Sequence, residues 1–231
     1  YAPALGNLAD LLGDQGALDE ALALYARAVA AEPENVQARL NRAILYFLKG
    51  DLGRAWDDYE HRLRVADKTP VSDHGLKRWD GSDARERLLV AAEQGIGDQI
   101  MFASCFNEVI DQAGRVIIEC NPKLVALFQR SFPKAQIQEN VPAGQEPRWL
   151  EDAGQIDFQI AMGDLPGMYR NRWEDFPAHS GYLFADQSRV EHWKTRLAAL
   201  GSEYTLGISW RGGSIATRRH MRSLTLEQML P

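Results

Sequence analysis

The chain has 231 residues, 45% of them hydrophobic and 25% charged, with a net charge of −6. That is enough apolar material for one large domain or two small ones, and it excludes wholesale disorder. The acidic balance argues against nucleic acid as the main partner, and no run of about 18 apolar residues marks a membrane span. The two cysteines, Cys105 and Cys120, form neither a Cys-x-x-Cys pair nor a Cys/His cluster. A disulfide framework or zinc site is therefore not expected, and a reducing, cytoplasmic setting fits.

The first 67 residues repeat. At an offset of 34 positions Ala4 matches Ala38, Asn7 matches Asn41, Ala9 matches Ala43, Gly16 matches Gly50, Ala21 matches Ala55 and Tyr25 matches Tyr59. A period of this length points to stacked helical hairpins. Each copy reads as two amphipathic helices around a glycine. The stripes are Leu5, Leu8, Ala9, Leu12 and Ala21, Leu22, Tyr25, Ala28, Val29 in the first copy. In the second they are Leu40, Ala43, Ile44, Phe47 and Leu52, Ala55, Trp56, Tyr59, Leu63. Pro33 separates the copies. The alanines allow close helix approach, and the tyrosines fill the space beside them. This pattern resembles the tetratricopeptide repeat, which implies a surface for a protein or peptide. The alternative is that two repeats only extend and cap the next domain.

Residues 68–86 read as a linker with Pro70, Gly75 and Gly81, in which Trp79 is expected to bury against one module. From 87 to 202 the pattern becomes strand–helix alternation. The expected strands are 88–92, 115–120, 135–138 and 157–161, and the expected helices are 98–112, 122–130 and 189–200. Such alternation implies a Rossmann-like parallel sheet. Residues 203–231 open with a strand-like run, 206–210, and are expected to begin a second, truncated α/β domain, because one strand cannot bury a sheet.

The most informative stretch is Glu93-Gln94-Gly95-Ile96-Gly97-Asp98, which follows the apolar strand Leu88-Leu89-Val90-Ala91. A Gly-x-Gly turn opening a helix directs N–H groups toward a ligand. Read as a dinucleotide fingerprint, it has Glu119 at the position of the ribose-binding acid, but Ile100 stands where the third glycine belongs. Asp98 would also repel a pyrophosphate. Asp98 fits two other roles better: a cap on the helix start, or a general base in a cleft. A second constellation is basic. Between Thr205 and Leu226 there is no Asp or Glu, yet Arg211, Arg218, Arg219, His220 and Arg222 occur beside Gly212-Gly213-Ser214. Guanidinium groups pair well with phosphate oxygens, and the glycines allow close backbone approach. A solvated loop is the alternative. His61, His74, His179 and His192 share no ligand spacing, so no metal is implied. Trp173, Phe176 and Trp193 are expected in the core, and Met162-Gly163-Asp164 is expected to form a turn.

The string Glu93-Gln94-Gly95-Ile96-Gly97-Asp98, together with Tyr59-Glu60-x-Arg62, Arg78-Trp79-x-Gly81 and Gly207-Ile208-Ser209-Trp210-Arg211-Gly212, resembles bacterial proteins that join tetratricopeptide repeats to a glycosyltransferase domain. These are of the two-Rossmann (GT-B) type, similar to lipopolysaccharide heptosyltransferases and more distantly to protein O-GlcNAc transferases. The resemblance implies an acceptor or ligand loop at Glu93, Gln94, Gly95 and Gly97, with Asp98 as catalytic base. It implies a donor diphosphate site at Arg211, Gly212, Gly213, Arg218, Arg219 and Arg222. A nucleotide-sugar would be the donor substrate, with no separate cofactor. The chain is then expected to be α plus α/β, repeats followed by the N-terminal half of a GT-B fold, and inactive by itself. The rival expectation is a non-catalytic scaffold built on the same repeats and a degenerate α/β domain.

Overall fold

The computed structural model describes residues 1–65, 74–82, 87–141, 145, 147–201, 204–210, 212 and 223–229. They divide into two units, Tyr1–Ala185 and Asp186–Pro231.

The first unit begins with two helical hairpins, α1 (Ala2–Asp14) with α2 (Leu18–Ala31), and α3 (Val36–Lys49) with α4 (Leu52–Tyr59), followed by a 3-10 turn, Glu60–Arg64. The starts of α3 and α4 are capped by Asn35 and Asp51, whose side chains accept from the amides of Ala38 and Arg54. Gly16 and Gly50 turn the chain between helices with φ of +82° and +76°, a region that favours glycine. The repeated alanines Ala9, Ala21, Ala43 and Ala55 are all 0% exposed. Close helix approach is thus the use made of the repeat, as its small residues imply. Tyr25 fills the space beside them, and Asn41 Nδ2 donates to its hydroxyl at 2.9 Å, tying the second hairpin to the first. Three stripe members differ from expectation: Leu8, Ile44 and Leu63 are exposed.

The α/β part is a parallel five-stranded sheet. Its strands are β1 (Lys77–Arg78), β2 (Arg87–Ala91), β3 (Arg115–Cys120), β4 (Gln136–Glu139) and β5 (Phe158–Ala161), in the order β1-β5-β2-β3-β4. β2 is central, paired with β3 through Leu88↔Val116 and with β5 through Leu88↔Phe158. Its unbroken apolar sequence follows from burial on both faces. Helices α5 (Ile96–Phe102), α6 (Phe106–Gln112) and α7 (Val125–Ser131) cover one face. There Phe106, Phe128 and Phe132 meet edge to face and pack with Leu88, Val90, Val116 and Ile118. The other face carries α8 (Trp149–Asp152), with Ala153 and Ile156 packed on Leu89 and Ile117. Trp79 is 1% exposed within the first of these cores, so the linker tryptophan does bury in the α/β module.

The expected helix 98–112 is two helices joined by a 3-10 turn, Ala103–Cys105, and it begins earlier, at Ile96. The helix expected from Pro122 begins at Val125, since residues 122–124 form a turn. Both cysteines are free and buried, and burial pushes their thiols up, to about 11 for Cys105 and about 12 for Cys120. Neither thiol should therefore react with an aromatic disulfide reagent in the native protein, and both should react in urea. A native thiol that titrates within minutes would contradict this burial.

In the second unit, α10 (Gln187–Ala198) is capped by Asp186 and has no buried residue. Residues 204–210 do not form the expected strand, and a short helix, α11 (Leu226–Met229), follows. Their β-prone composition becomes a strand only where another strand completes the ladder.

Candidate functional site

Helix α9 (Leu165–Tyr169) follows β5 after a 3-10 turn, Met162–Asp164. The chain runs from β2 to β3 and β4 on one side of the sheet, then returns to place β5 on the other side of β2. The strand order therefore reverses between β2 and β5. In open α/β sheets the crevice beyond the carboxyl ends of strands at such a reversal is where ligands bind. The loop after β2 is Glu93–Gly95, and the turn after β5 holds Gly163 and Asp164. Both expected loop motifs thus meet at one place.

A third segment joins them. Arg62, from the turn after α4, enters the crevice with its side chain 2% exposed. Its Nε donates to Glu93 Oε2 at 2.8 Å and its Nη2 to Glu93 Oε1 at 2.5 Å, a two-pronged pair, while Nη1 lies 2.7 Å from Asp164 Oδ1. The Gly163 amide donates to Glu93 Oε1 at 2.6 Å. Burial lowers the affinity of the Arg62 guanidinium for its proton, but the hydrogen bond to Glu93 and the charges of Asp164 and Glu93 overcome this and hold it above the ordinary arginine value. Burial also raises the Asp164 carboxyl, against the pull of Arg62 and Arg78. Arg78 closes the outer edge, with Nη2 3.2 Å from Asp164 and 3.4 Å from Glu60. Between these groups and Trp56, Gly167 and Met168 lies a cleft of about 180 Å³.

Tyr59 stands beside this seam. The Arg62 guanidinium lies 4.7 Å from its ring centre, and Gln94 Nε2 donates to its hydroxyl at 2.8 Å. Gln94 has φ of +57°, the one non-glycine residue with a left-handed backbone among the described residues. That conformation costs an L-residue about 1–2 kcal/mol and persists only where surroundings hold it.

The expected site residues separate accordingly. Glu93 is 4% exposed and its carboxylate is fully engaged by Arg62 and Gly163, so it shapes the loop from below. Gln94 is tied to the repeats. Asp98 is not the N-cap that the sequence offered: Gly95 holds that position, and Asp98, third in α5, reaches back with Oδ2 to accept from the Gly95 amide at 3.0 Å. Gly97 differs from every packing glycine nearby: a Cβ there would meet nothing within 4 Å. Among the described residues no atom requires glycine at 97. Gln99, 1% exposed, braces the loop by donating to the Glu93 carbonyl and accepting from the Asn121 amide. Glu119 is 0% exposed, with His74 Nε2 3.4 Å away and the Ala92 amide donating to it, so it is closed to a ribose.

Arg211, Gly213, Arg218, Arg219, His220 and Arg222 lie outside the described residues. The Gly212 amide donates to Ser223 Oγ at 3.3 Å. Trp173, Phe176 and Trp193 are 64%, 47% and 46% exposed rather than core. Trp173 and Phe176 stack on each other at a ring distance of 5.8 Å, which satisfies them locally. The sequence placed Arg62 only in the Tyr59-Glu60-x-Arg62 motif and Asp164 only in a turn, and gave neither a partner. The available signal was an arginine three residues past the repeat tyrosine, where helical periodicity puts a charge at the edge of the buried stripe.

Repeats joined through a buried ionic seam to a parallel α/β sheet define the class of protein. The tetratricopeptide repeat family matches residues 13–55, within the helical front. Over 95% of its length the chain is 30% identical to Protein FlbA of Caulobacter vibrioides. It spans 39% of the length of that relative. Among the described residues no helix is long and apolar enough to cross a membrane.

Proposed function

We propose that the chain is the repeat-bearing first half of a GT-B glycosyltransferase that moves a sugar from a nucleotide-sugar to a hydroxyl, with the repeats binding a protein partner. The observation that carries this reading is the loop at the reversal of strand order. Its outer glycine, Gly97, borders open space, and its carboxylate, Asp98, is half-exposed and capped on one oxygen only. A hydroxyl approaching over Gly97 would meet that carboxylate as general base. Glu93, Gln94 and Gly95 form the acceptor loop in this reading. Arg211, Arg218, Arg219 and Arg222, with Gly212 and Gly213, would stabilise the departing diphosphate, an electrostatic contribution commonly worth about 3 kcal/mol for each such donor. The nucleotide-sugar is substrate, and no cofactor or metal is required.

One observation favours a second reading. Glu93 is accounted for by the seam alone, as it would be in a scaffold that had kept the architecture and lost the chemistry. Calorimetric titration of the longest natural protein containing this chain with UDP-, GDP-, dTDP- and ADP-sugars separates the two. Saturable binding weakened by Arg218→Ala, and sugar transfer lost in Asp98→Asn with donor binding retained, is the expected result. Absence of binding across the panel would support the scaffold.

A further inference from the structure

We infer that Tyr59 and Arg62 are positioning residues of the 93–98 loop, so that the second repeat sets the loop's geometry as well as offering a surface to a partner; the functional meaning of this rests on the loop being the ligand loop. Three observations converge on it. The Arg62 fork fixes both oxygens of Glu93, and the Gly163 amide fixes one of them from the opposite wall. The next residue, Gln94, holds a backbone conformation that its own chemistry disfavours, and its side chain is anchored to the Tyr59 hydroxyl. The backbone after it, Gly95, is where the Asp98 carboxylate is seated. The orientation of Asp98 therefore depends, through Gly95 and Gln94, on a hydroxyl that belongs to the repeats.

The connection extends into the solenoid. Tyr59 makes edge contacts with Phe47 of α3 at 5.6 Å and with Trp56 of α4 at 5.7 Å. Helix α3 thus touches the tyrosine that holds the loop, and a load on α3 bears on Tyr59 directly. Neither residue faces a reacting group. Their action passes through Glu93 and Gln94.

The test is amide hydrogen exchange at single-residue resolution in the intact chain, comparing Tyr59→Phe, Gln94→Ala and the double variant. Tyr59→Phe keeps the ring, its aromatic contacts and the Arg62 stacking, and removes only the hydroxyl. Exchange of the Gly95 and Gln99 amides should rise about tenfold in each single variant, as for one lost hydrogen bond. Gln94→Ala also removes the Gln94 Nε2 bond to Glu93 Oε2 at 3.2 Å, so the double variant should be no faster than Gln94→Ala, which already breaks the link that Tyr59→Phe removes. The Ile117 and Ile118 amides of β3 should not change. Three results would overturn the inference: unchanged loop exchange in Tyr59→Phe, singles that multiply in the double variant, or a parallel rise in β3, which would mean general destabilisation. Exchange needs no ligand, so failure of the nucleotide-sugar titration and failure of this prediction are separate outcomes.

Discussion

Replacing Arg62 with alanine should lower the stability of the first unit by about 3–5 kcal/mol, the usual cost of removing one partner from a buried ion pair. Glu93 and Asp164 would then remain largely buried beside each other with like charge and without their shared cation. For a unit of this size the melting temperature should fall by roughly 6–20 °C. The loss should depend on pH with a definite sign. Without Arg62 the Asp164 carboxyl, which burial already raises, would rise further above its unfolded value, so the folded state binds more protons. The deficit should be largest well above that raised value and shrink as pH falls toward the ordinary carboxylate range near about 4. Urea melts at about pH 5 and about pH 8 measure this, and an equal deficit at both would show that lost packing, rather than stranded charge, is responsible. Adding Glu93→Gln should recover part of the loss, because one of the stranded charges is then gone.

Gly163→Ala should be nearly as costly, at about 2–4 kcal/mol from overpacking and a lost charged hydrogen bond. A Cβ at 163 would overlap Glu93 Oε1 and lie 2.8 Å from Arg62 Nη2, inside the ion pair itself. Neither group can give way, because each is held by the other. The control is the same change at Gly97, where a Cβ meets no atom within 4 Å. There alanine should be neutral or stabilise the first turn of α5 by up to about 1 kcal/mol. Denaturant melts of the two variants give the comparison. If sugar transfer is detected, Gly97→Ala should weaken use of the hydroxyl acceptor while leaving donor binding and the fold intact. A substantial loss of stability at 97 would instead place its glycine in the packing.

Much of the architecture is legible in the residues because it follows from periodicity. The 34-residue offset, the alanines at its close contacts and the strand β3, expected at 115–120 and found at Arg115–Cys120, all reflect side chains answering to a single local repeat. Errors fall where local pattern meets a missing or unseen neighbour. Residues 204–210 have strand-forming composition, and among the described residues no strand pairs with them. Trp173 and Phe176 are large and apolar, yet they stack on each other and remain exposed.

The candidate site divides along the same line. Gly95, Gly97 and Asp98 lie within four residues, so the turn and a carboxylate in the first helical turn are legible in the sequence, although the helix starts at Ile96 and not at Asp98. What the sequence also determines is that Glu93 stands at the end of a central strand, but not what it is for. Arg62 is separated from it by 31 positions and Asp164 by 71, and neither separation carries a periodic signal. Their meeting was decided only by the tertiary structure, when the reversal of strand order set β5 beside β2 and the second repeat turned its last residues into the crevice between them. A buried charge is tolerated only beside its partner, so the partner's identity is a property of packing across the chain and not of any segment read alone.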